Sequence, residues 1–226
     1  MQADFVAQLA KTLSDQRLAA YQGRVTEDGN LNLFSHYAWN MALSESLYPI
    51  LQALEISLRN AIHHAAVDHF NQDNWFDDRS IIHHRYNQTT IANAKLSLER
   101  QNKPIEPDRI IAELTFGFWT SLLDRRYEQG FLYPIIRATF PHIPRRDRTR
   151  HHISQRFNKI RDLRNRVFHH EPIWYWNDLA QQHQDMLEAL VWMAPAMKEM
   201  VMTIDRFEET YNNGFDNIKK QLEKFC

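Results

Sequence analysis

LYPILQALEISLRNAIHHAAVDHF, residues 47–70, decides the fold of this chain because its apolar residues recur at the spacing of an α-helix. Pro49 suits the first turn of a helix, where the missing N–H of proline has no helical partner to lose. We therefore expect one amphipathic helix that begins at about Pro49 and ends near Phe70. Its broad apolar face consists of Leu51, Leu54, Ile56, Leu58, Ile62 and Ala65.

The sequence on both sides of this helix shows helical spacing, and few of its segments alternate as a strand would. Only five of the 226 residues are glycine, whereas Leu, Ala, Gln, Glu and Arg are plentiful, and these residues favour helix over sheet. The pattern predicts an all-α fold in a single domain of residues 1–226, with residues 1–32 as an N-terminal helix and loop. Further helices are expected at about residues 81–101, 108–127 and 148–169 and from 177, with polar loops at 22–30 and 71–78 and a turn at 211–214.

Cysteine content and the N-terminal sequence bear on the cellular compartment. The single cysteine, Cys226, allows neither a disulfide nor a cysteine-based zinc site within one chain. Asp4 and Gln8 lie where a signal peptide would be cationic and then apolar. No stretch approaches the ~20 consecutive apolar residues of a membrane span. We expect a soluble, cytoplasmic protein with no membrane partner.

The charge of the chain is unevenly distributed. The net charge of -1 argues against a nucleic-acid binder, but residues 145–166 hold nine Arg or Lys side chains against two acidic ones. A local basic segment matters more to a polyanion than the overall sum. A solvated basic helix face is an equally good interpretation from charge alone. The candidate RNA-binding residues of this segment are Arg156, Lys159, Arg161 and Arg166.

The segment ends in RNRVFHHE, residues 164–171, where polar groups suited to catalysis are concentrated. On a helix, Asn165 and His169 are one turn apart on the same face, so the amide can orient the imidazole. Arg164 lies about 140° around the helix from His169, and its long side chain can still reach the same cleft. One helix end can therefore present a phosphate-binding guanidinium and an oriented imidazole.

These are the groups needed to cleave RNA without a metal. A base removes the proton of a ribose 2′-OH, the oxygen attacks the adjacent phosphate, and cations stabilise the developing charge. His169 would be the acid/base and Arg164 the electrostatic stabiliser, and DNA, which lacks the 2′-OH, would not be cut. The alternative is an ordinary basic helix terminus, because the helix dipole favours Arg and His there.

RNAIHH, residues 59–64, repeats the same offsets in Arg59, Asn60 and His64. Glu55 lies one helical turn before Arg59 and is expected to pair with it. The two motifs could form two halves of one polar cleft. Alternatively, the Glu55–Arg59–Asn60 group is a buried polar network that supports the second motif. We favour support, because an arginine paired with Glu55 is less free to hold phosphate.

The remaining motifs indicate neither a metal nor a cofactor. Adjacent histidines point about 100° apart on a helix and rarely bind one metal ion. The sequence contains no H-E-x-x-H motif, no phosphate loop and no dinucleotide-binding glycine motif. We therefore expect no metal and no cofactor. The adjacent histidine pairs are 63–64, 83–84, 151–152 and 169–170.

Three blocks of the sequence resemble the Abi-like (abortive infection) proteins of bacterial phage defence, which are members of the HEPN superfamily. The blocks are LYPILQALEISLRNAI (47–62), IIAELTFGFWTSLL (110–123) and LRNRVFHHEPI (163–173), and together they cover roughly residues 33–180. The third block is similar to the HEPN signature R-x4-6-H, with Arg164 and His169 in its invariant places and Asn165 in the usual polar one.

The resemblance implies a HEPN-type helical bundle with additional helices and metal-independent cleavage of RNA. HEPN nucleases usually join two motifs in a composite site, so we expect a homodimer with Arg164 and His169 near the two-fold axis. A defence or toxin-like role is also implied, in which a regulatory RNA or an antitoxin is a further partner. His170 and Glu171 follow the family pattern as supporting residues, and Glu171 is expected to anchor an arginine or the second histidine.

Three functional interpretations follow from these observations. The leading hypothesis is an RNA endonuclease, and the alternative is a non-catalytic HEPN module that binds RNA or a partner protein through the basic helix. The complete set of Arg164, Asn165 and His169 favours the enzyme, because a binding module has no need of an oriented histidine. A purely structural helical protein, the third interpretation, requires that His169 is buried and paired.

Overall fold

A computed structural model describes residues 2–25 and 29–225, with side chains from Phe5 onward, and all regular structure in these ranges is helical. The predicted all-α class is confirmed. Cys226 and residues 26–28 of the predicted loop at 22–30 lie outside the described residues. The α-helices are α1 (Gln2–Leu13), α2 (Asp15–Gln22), α3 (Asn30–Phe70), α4 (Arg85–Arg100), α5 (Pro107–Glu113), α6 (Phe116–Ser121), α7 (Tyr133–Thr139), α8 (Arg150–Phe168), α9 (Leu179–Met193), α10 (Pro195–Met202) and α11 (Phe207–Leu222).

The chain divides into two compact units. The first unit comprises Met1–Leu51, Asp162–Asp185 and Val201–Cys226, and the second comprises Gln52–Arg161 and Met186–Met200. The motif RNRVFHHE therefore lies in the first unit and RNAIHH in the second, and each unit is described by itself below.

Helix α3 runs through Pro49, where the sequence predicts that a helix begins. A proline inside a helix removes one backbone hydrogen bond and costs about 3 kcal/mol or more. The neighbouring Leu47, Ile50 and Leu51 are at most 2% exposed. Burying each such side chain contributes about 1.5–3 kcal/mol, so the three together outweigh the cost. Burial thus overrides the local preference of Pro49.

Two other predicted helices are each divided in the structure. The N-terminal helix is broken at Ser14, which has a φ of 63° and whose Oγ accepts a hydrogen bond from the Arg17 N–H at 3.4 Å. The described part of residues 1–32 therefore contains two helices and the start of α3 where the sequence predicts one helix, and residues 23–25 and 29 of the predicted loop are not helical. The helix predicted at 108–127 is divided into α5 and α6 at Leu114 and Thr115, whose ψ angles of 131° and 160° are extended.

The predicted turn at residues 211–214 is wrong, because these residues lie inside α11. A Cβ atom on Gly214 would lie 3.2 Å from Cδ1 and Nε1 of Trp39. The indole Nε1 also donates a hydrogen bond to the Thr210 carbonyl at 3.1 Å. Gly214 therefore allows α11 to approach Trp39 of α3 closely, which is a packing role and not a turn.

The N-terminal helices belong to the core of the first unit. Leu18 and Tyr21 of α2 are buried together with Leu33 and Phe34 of α3, and Trp174 packs against this cluster. Trp174 follows the motif RNRVFHHE in sequence and packs on this core. Helix α2 is thereby fixed beside the segment that follows α8.

The first unit also contains a buried histidine. His183 is 3% exposed, its Nε2 lies 2.8 Å from Asp205 Oδ2, and its ring stacks on Phe207 at 4.3 Å. Burial lowers the pKa of His183, and the Asp205 carboxylate offsets part of this shift. The imidazole is therefore harder to protonate in the folded chain than in the unfolded chain.

This histidine makes stability depend on pH. Between the lowered folded pKa and the unfolded value of about 6.5, the unfolded chain binds more protons. We therefore expect the free energy of unfolding to fall as the pH falls through this window. Urea unfolding between pH 5 and 7.5 measures the slope, which should be smaller in His183→Gln and unchanged in the exposed control His142→Gln. Equal slopes in all three proteins would contradict the assignment.

Candidate functional site

The motif RNRVFHHE coincides with the end of α8. The helix ends at Phe168, and His170 adopts the left-handed conformation with a φ of 57°. The His170 N–H donates to the Val167 carbonyl at 3.2 Å, and the Glu171 N–H donates to the Arg166 carbonyl at 2.8 Å. This pair of bonds is a Schellman motif, and it fixes the backbone on which the motif side chains are mounted.

The side chain of Glu171 reinforces this helix end. Its Oε2 lies 3.0 Å from Nη1 of Arg166, so an ion pair spans the same two residues that the backbone bond joins. The guanidinium of Arg166 also lies 5.3 Å from the ring centroid of Trp176. Arg166 is therefore held in place by Glu171 and Trp176, and Glu171 is paired with an arginine, not with His170.

Asn165 and His169 are both exposed and lie one helical turn apart. The His169 N–H donates to the Asn165 carbonyl at 2.9 Å, which continues the helical bonding to His169. Among the described residues, neither of the two side chains forms a hydrogen bond, so the amide does not hold the imidazole in this state. The exposure of His169 contradicts the structural interpretation, which requires a buried and paired histidine.

Arg164 is positioned by an aromatic pair. Its guanidinium carbon lies 4.2 Å from the ring centroid of Phe168, and that ring lies 5.5 Å from the ring of Tyr48. Such a cation–π contact is favourable by about 0.5–1 kcal/mol at an exposed site. Tyr48 is 50% exposed and Phe168 is 36% exposed. The charge of Arg164 is thus held over the last turn of α8, immediately before His169.

A cleft of about 580 Å³ in the first unit includes two residues of the motif, and we call it the motif cleft. Its lining includes Arg17, Arg24, Arg166, Glu171 and Tyr175. Nη1 of Arg17 donates to the His170 carbonyl at 2.8 Å, and the guanidinium of Arg24 lies 4.3 Å from the Tyr175 ring. Helix α2 and the residue after its cap therefore add two arginines to the motif that sequence reasoning missed.

Asn40 fixes the chain immediately after the motif. This side chain is 3% exposed, and its Oδ1 accepts hydrogen bonds from the N–H groups of Ile173 at 2.7 Å and Trp174 at 3.3 Å. Its Nδ2 donates to the Glu171 carbonyl at 3.4 Å. One buried amide on α3 thus satisfies three backbone groups of residues 171–174, and the sequence contains no local signal for it.

The motif RNAIHH in the second unit is bonded differently. Nε of Arg59 donates to Asn60 Oδ1 at 3.0 Å. The expected pairing of Glu55 with Arg59 stays a prediction, and the adjacent amide of Asn60 is one partner of the guanidinium. His64 is exposed. Whether these residues support the other motif or form a second half-site stays a prediction.

His63, beside His64, has a structural role. The Trp75 Nε1–H donates to His63 Nδ1 at 3.1 Å, and the indole is fully buried. Burial lowers the pKa of His63, and the neighbouring His64 lowers it further. A neutral ring is required to accept the indole hydrogen bond. Of the two adjacent histidines, His63 therefore belongs to the core and His64 to the surface.

The candidate RNA-binding residues differ in their surroundings. Arg156 forms an ion pair with Glu188 at 2.8 Å and lies over the Trp192 ring at 5.0 Å. Arg161 donates to Thr120 Oγ1 at 3.2 Å. Lys159 is exposed, and Arg166 lines the motif cleft. At 100° per residue, Arg161 points about 140° away from Arg156 around α8, so the basic residues of this helix do not all lie on one face.

The part of the chain that the structure describes contains neither a ready metal site nor a membrane span. No three or more His, Cys, Asp or Glu side chains come together there in a way that could hold a metal ion. None of the helices there has the length and apolar character needed to cross a bilayer.

Comparison with protein-family models, with curated proteins and with solved structures finds no match to this chain. The assignment of the site therefore depends on its own residues and on the sequence resemblance given above.

Proposed function

We propose that this protein is a metal-independent RNA endonuclease whose reaction centre is Arg164, Asn165 and His169. One observation carries the proposal, namely that His169 is exposed on a helix end fixed by the Schellman motif, directly after the turn that holds Arg164. A structural histidine would be buried, whereas a proton-transfer group has to reach its substrate. The rigid backbone on both sides of His169 limits the positions that its ring can take.

In the proposed reaction, His169 takes the proton of a ribose 2′-OH. The 2′-oxygen forms a bond to the adjacent phosphorus, and the bond from phosphorus to the 5′-oxygen breaks. The leaving 5′-oxygen takes up a proton from an imidazolium. Arg164 stabilises the additional charge on the phosphoryl oxygens. The Asn165 amide lies one turn away and orients the imidazole once the substrate closes the site. The products are a 2′,3′-cyclic phosphate and a 5′-hydroxyl.

The proposal includes a homodimer with a composite site, as the resemblance implies. Tyr48 and Phe168 are large and exposed, and their rings contact each other beside Arg164. Met41, which is 60% exposed, precedes Tyr48 by seven residues and so lies on the same face of α3. An apolar surface at the edge of a reaction centre is suited to a second copy of the chain. The role in phage defence and a regulatory RNA or antitoxin partner are supported by the resemblance alone, and a cytoplasmic location is part of the same proposal.

The second candidate is a non-catalytic HEPN module that binds RNA or a partner protein. The motif cleft favours it, because Arg17, Arg24 and Arg166 beside Tyr175 could hold a phosphate and a base without any chemistry. The exposure of His169 is not needed for such binding. The two candidates therefore differ in whether RNA is cut.

Cleavage of a labelled single-stranded RNA in EDTA tests the proposal. We expect cutting that is insensitive to the chelator, with products that end in 2′,3′-cyclic phosphate. A strand of the same sequence with deoxyribose at every position should bind but stay intact, because it has no 2′-OH. RNA binding without any cutting would favour the non-catalytic module, and cutting of the deoxyribose strand would exclude attack by the 2′-OH.

A further inference from the structure

The second unit contains a polar cleft that none of the motifs accounts for, and we call it the basic cleft. It has a volume of about 810 Å³, and all nine side chains that line it are polar or charged. Three arginines are present against a single aspartate, Asp124. Sites for drug-like small molecules are lined mainly by apolar and aromatic side chains. The lining of the basic cleft instead suits a hydrophilic anion.

The three arginines keep donors available for a ligand. The side chain of Arg125 is exposed and forms no hydrogen bond or ion pair within the described part of the chain. Arg126 lies 3.6 Å from Asp124, and Nε of Arg150 lies 3.6 Å from Glu128. Both distances exceed that of a hydrogen bond. The acidic neighbours therefore orient these guanidinium groups without saturating their five N–H donors.

The first turn of α8 adds to the positive potential of this cleft. Arg150 and His151 line the cleft and are the first two residues of the helix. Oγ1 of Thr149 accepts a hydrogen bond from the His152 N–H at 3.2 Å, and the Thr149 carbonyl accepts one from Ile153 at 3.1 Å. The helix dipole places a partial positive charge at this end. Side-chain cations and the helix terminus thus act on the same volume.

We propose that the basic cleft binds the sugar-phosphate backbone of single-stranded RNA, at a site separate from Arg164 and His169. Guanidinium groups match phosphate oxygens with pairs of parallel hydrogen bonds. Ser154, Gln155 and Asn158 line the same cleft and suit further hydrogen bonds to phosphate oxygens. The choice of RNA rests on the proposed function, whereas the choice of a phosphate backbone rests on the cleft itself. The cleft holds the strand, and the chemistry takes place elsewhere.

Fluorescence anisotropy with a labelled 20-nucleotide RNA in EDTA tests this proposal, with all variants carrying His169→Ala so that the strand stays intact. The test variant combines Arg125→Gln, Arg126→Gln and Arg150→Gln. Its matched control combines Arg79→Gln, Arg100→Gln and Arg137→Gln, three exposed arginines of the same unit that do not line the basic cleft. We expect the test variant to raise Kd at least about tenfold and to lower the slope of log K against log salt by about 0.7 for each phosphate that is no longer neutralised.

One further variant controls for a folding defect, and two other ligands control for the specificity of binding. Arg125→Glu alone changes one exposed side chain and should also weaken binding, so a folding defect of the triple variant would not decide the matter. A deoxyribose strand should bind nearly as well as RNA, because phosphate contacts do not involve the 2′-OH. Polyglutamate that competes as well as RNA at equal charge would overturn the assignment to nucleic acid.

The outcomes separate this proposal from the proposed function. Equal Kd and salt slope in the test variant and its control, or no RNA binding by any protein, would overturn the basic cleft as a binding site. Weaker binding by the test variant supports the cleft even if the wild-type protein cuts no RNA. If RNA is cut in a His169-dependent way but the test variant binds RNA as tightly as its control, the nuclease proposal stands. The proposal that the basic cleft binds RNA is then wrong.

Discussion

His169→Ala is expected to lower the rate of RNA cleavage by about 10²–10⁴-fold, the usual contribution of a general acid or base. The side chain is exposed and makes no hydrogen bond among the described residues, so its removal should not change stability. RNA affinity should also stay the same, because phosphate contacts, not the imidazole, supply most of the binding. Single-turnover cleavage in EDTA, with binding and thermal unfolding measured in parallel, separates these quantities.

Neighbouring substitutions make this result specific. His142→Ala removes another exposed histidine and should cut RNA at the wild-type rate. His170→Asn removes the adjacent imidazole while retaining a residue that tolerates the positive φ of 57° at this position. We expect His170→Asn to cost far less activity than His169→Ala. An equal loss would show that the two histidines had been assigned to the wrong roles.

Substitutions of Arg164 test the proposed reaction centre independently of His169. Arg164→Ala should lower cleavage by about 10²–10³-fold, as the loss of one electrostatic stabiliser typically does. Arg164→Lys keeps the charge but loses the planar group that lies 4.2 Å from the Phe168 ring. We expect an intermediate rate for lysine, because the charge remains but is less well positioned. A lysine variant as active as wild type would show that the aromatic contact does not position the charge.

The parts of the site that follow from local sequence were predictable. The basic helix ahead of Pro172 and the placement of Asn165 and His169 one turn apart depend only on helical periodicity and on the proline. The structure has α8 ending at Phe168, within two residues of the expected end. Local rules failed where burial outweighs them, as at Pro49 and at residues 211–214. The charge pattern along α8 also gave no sign that Arg156 pairs with Glu188 and Arg161 with Thr120.

The long-range parts of the site could not be predicted from one sequence. Arg17 is separated from His170 by 153 positions, and Asn40 is separated from Ile173 by 133 positions. Neither residue belongs to a pattern with a recognised spacing, and both contacts exist only once the first unit is packed. The basic cleft is similar, since Arg125, Arg126 and Arg150 come together from two separate segments of the second unit. The role of the buried Asn40 amide and of these arginines can be recognised only when the fold brings them next to their partners.

Asn40→Ala should destabilise the protein by about 2–4 kcal/mol, the largest effect on stability that we expect from a polar side chain here. The substitution leaves the N–H groups of Ile173 and Trp174 without their acceptor, and Ile173 is fully buried. A buried donor that loses its partner costs about 1–3 kcal/mol. The free energy of unfolding from urea titration measures the loss. Hydrogen exchange at Ile173 and Trp174 should become faster in the same variant.

Ser46→Ala is the matched control for Asn40→Ala. Ser46 is 4% exposed on the same helix and in the same unit, but its Oγ donates to the Leu43 carbonyl of its own helix at 2.8 Å. Its loss should cost under about 1 kcal/mol, because no buried donor is left without a partner. Asn40→Ala should also lower the rate of RNA cleavage at temperatures where the variant is still folded, since residues 171–174 include and directly follow the end of the motif. Equal destabilisation by the two substitutions, or full activity of Asn40→Ala, would show that Asn40 does not position the reaction centre.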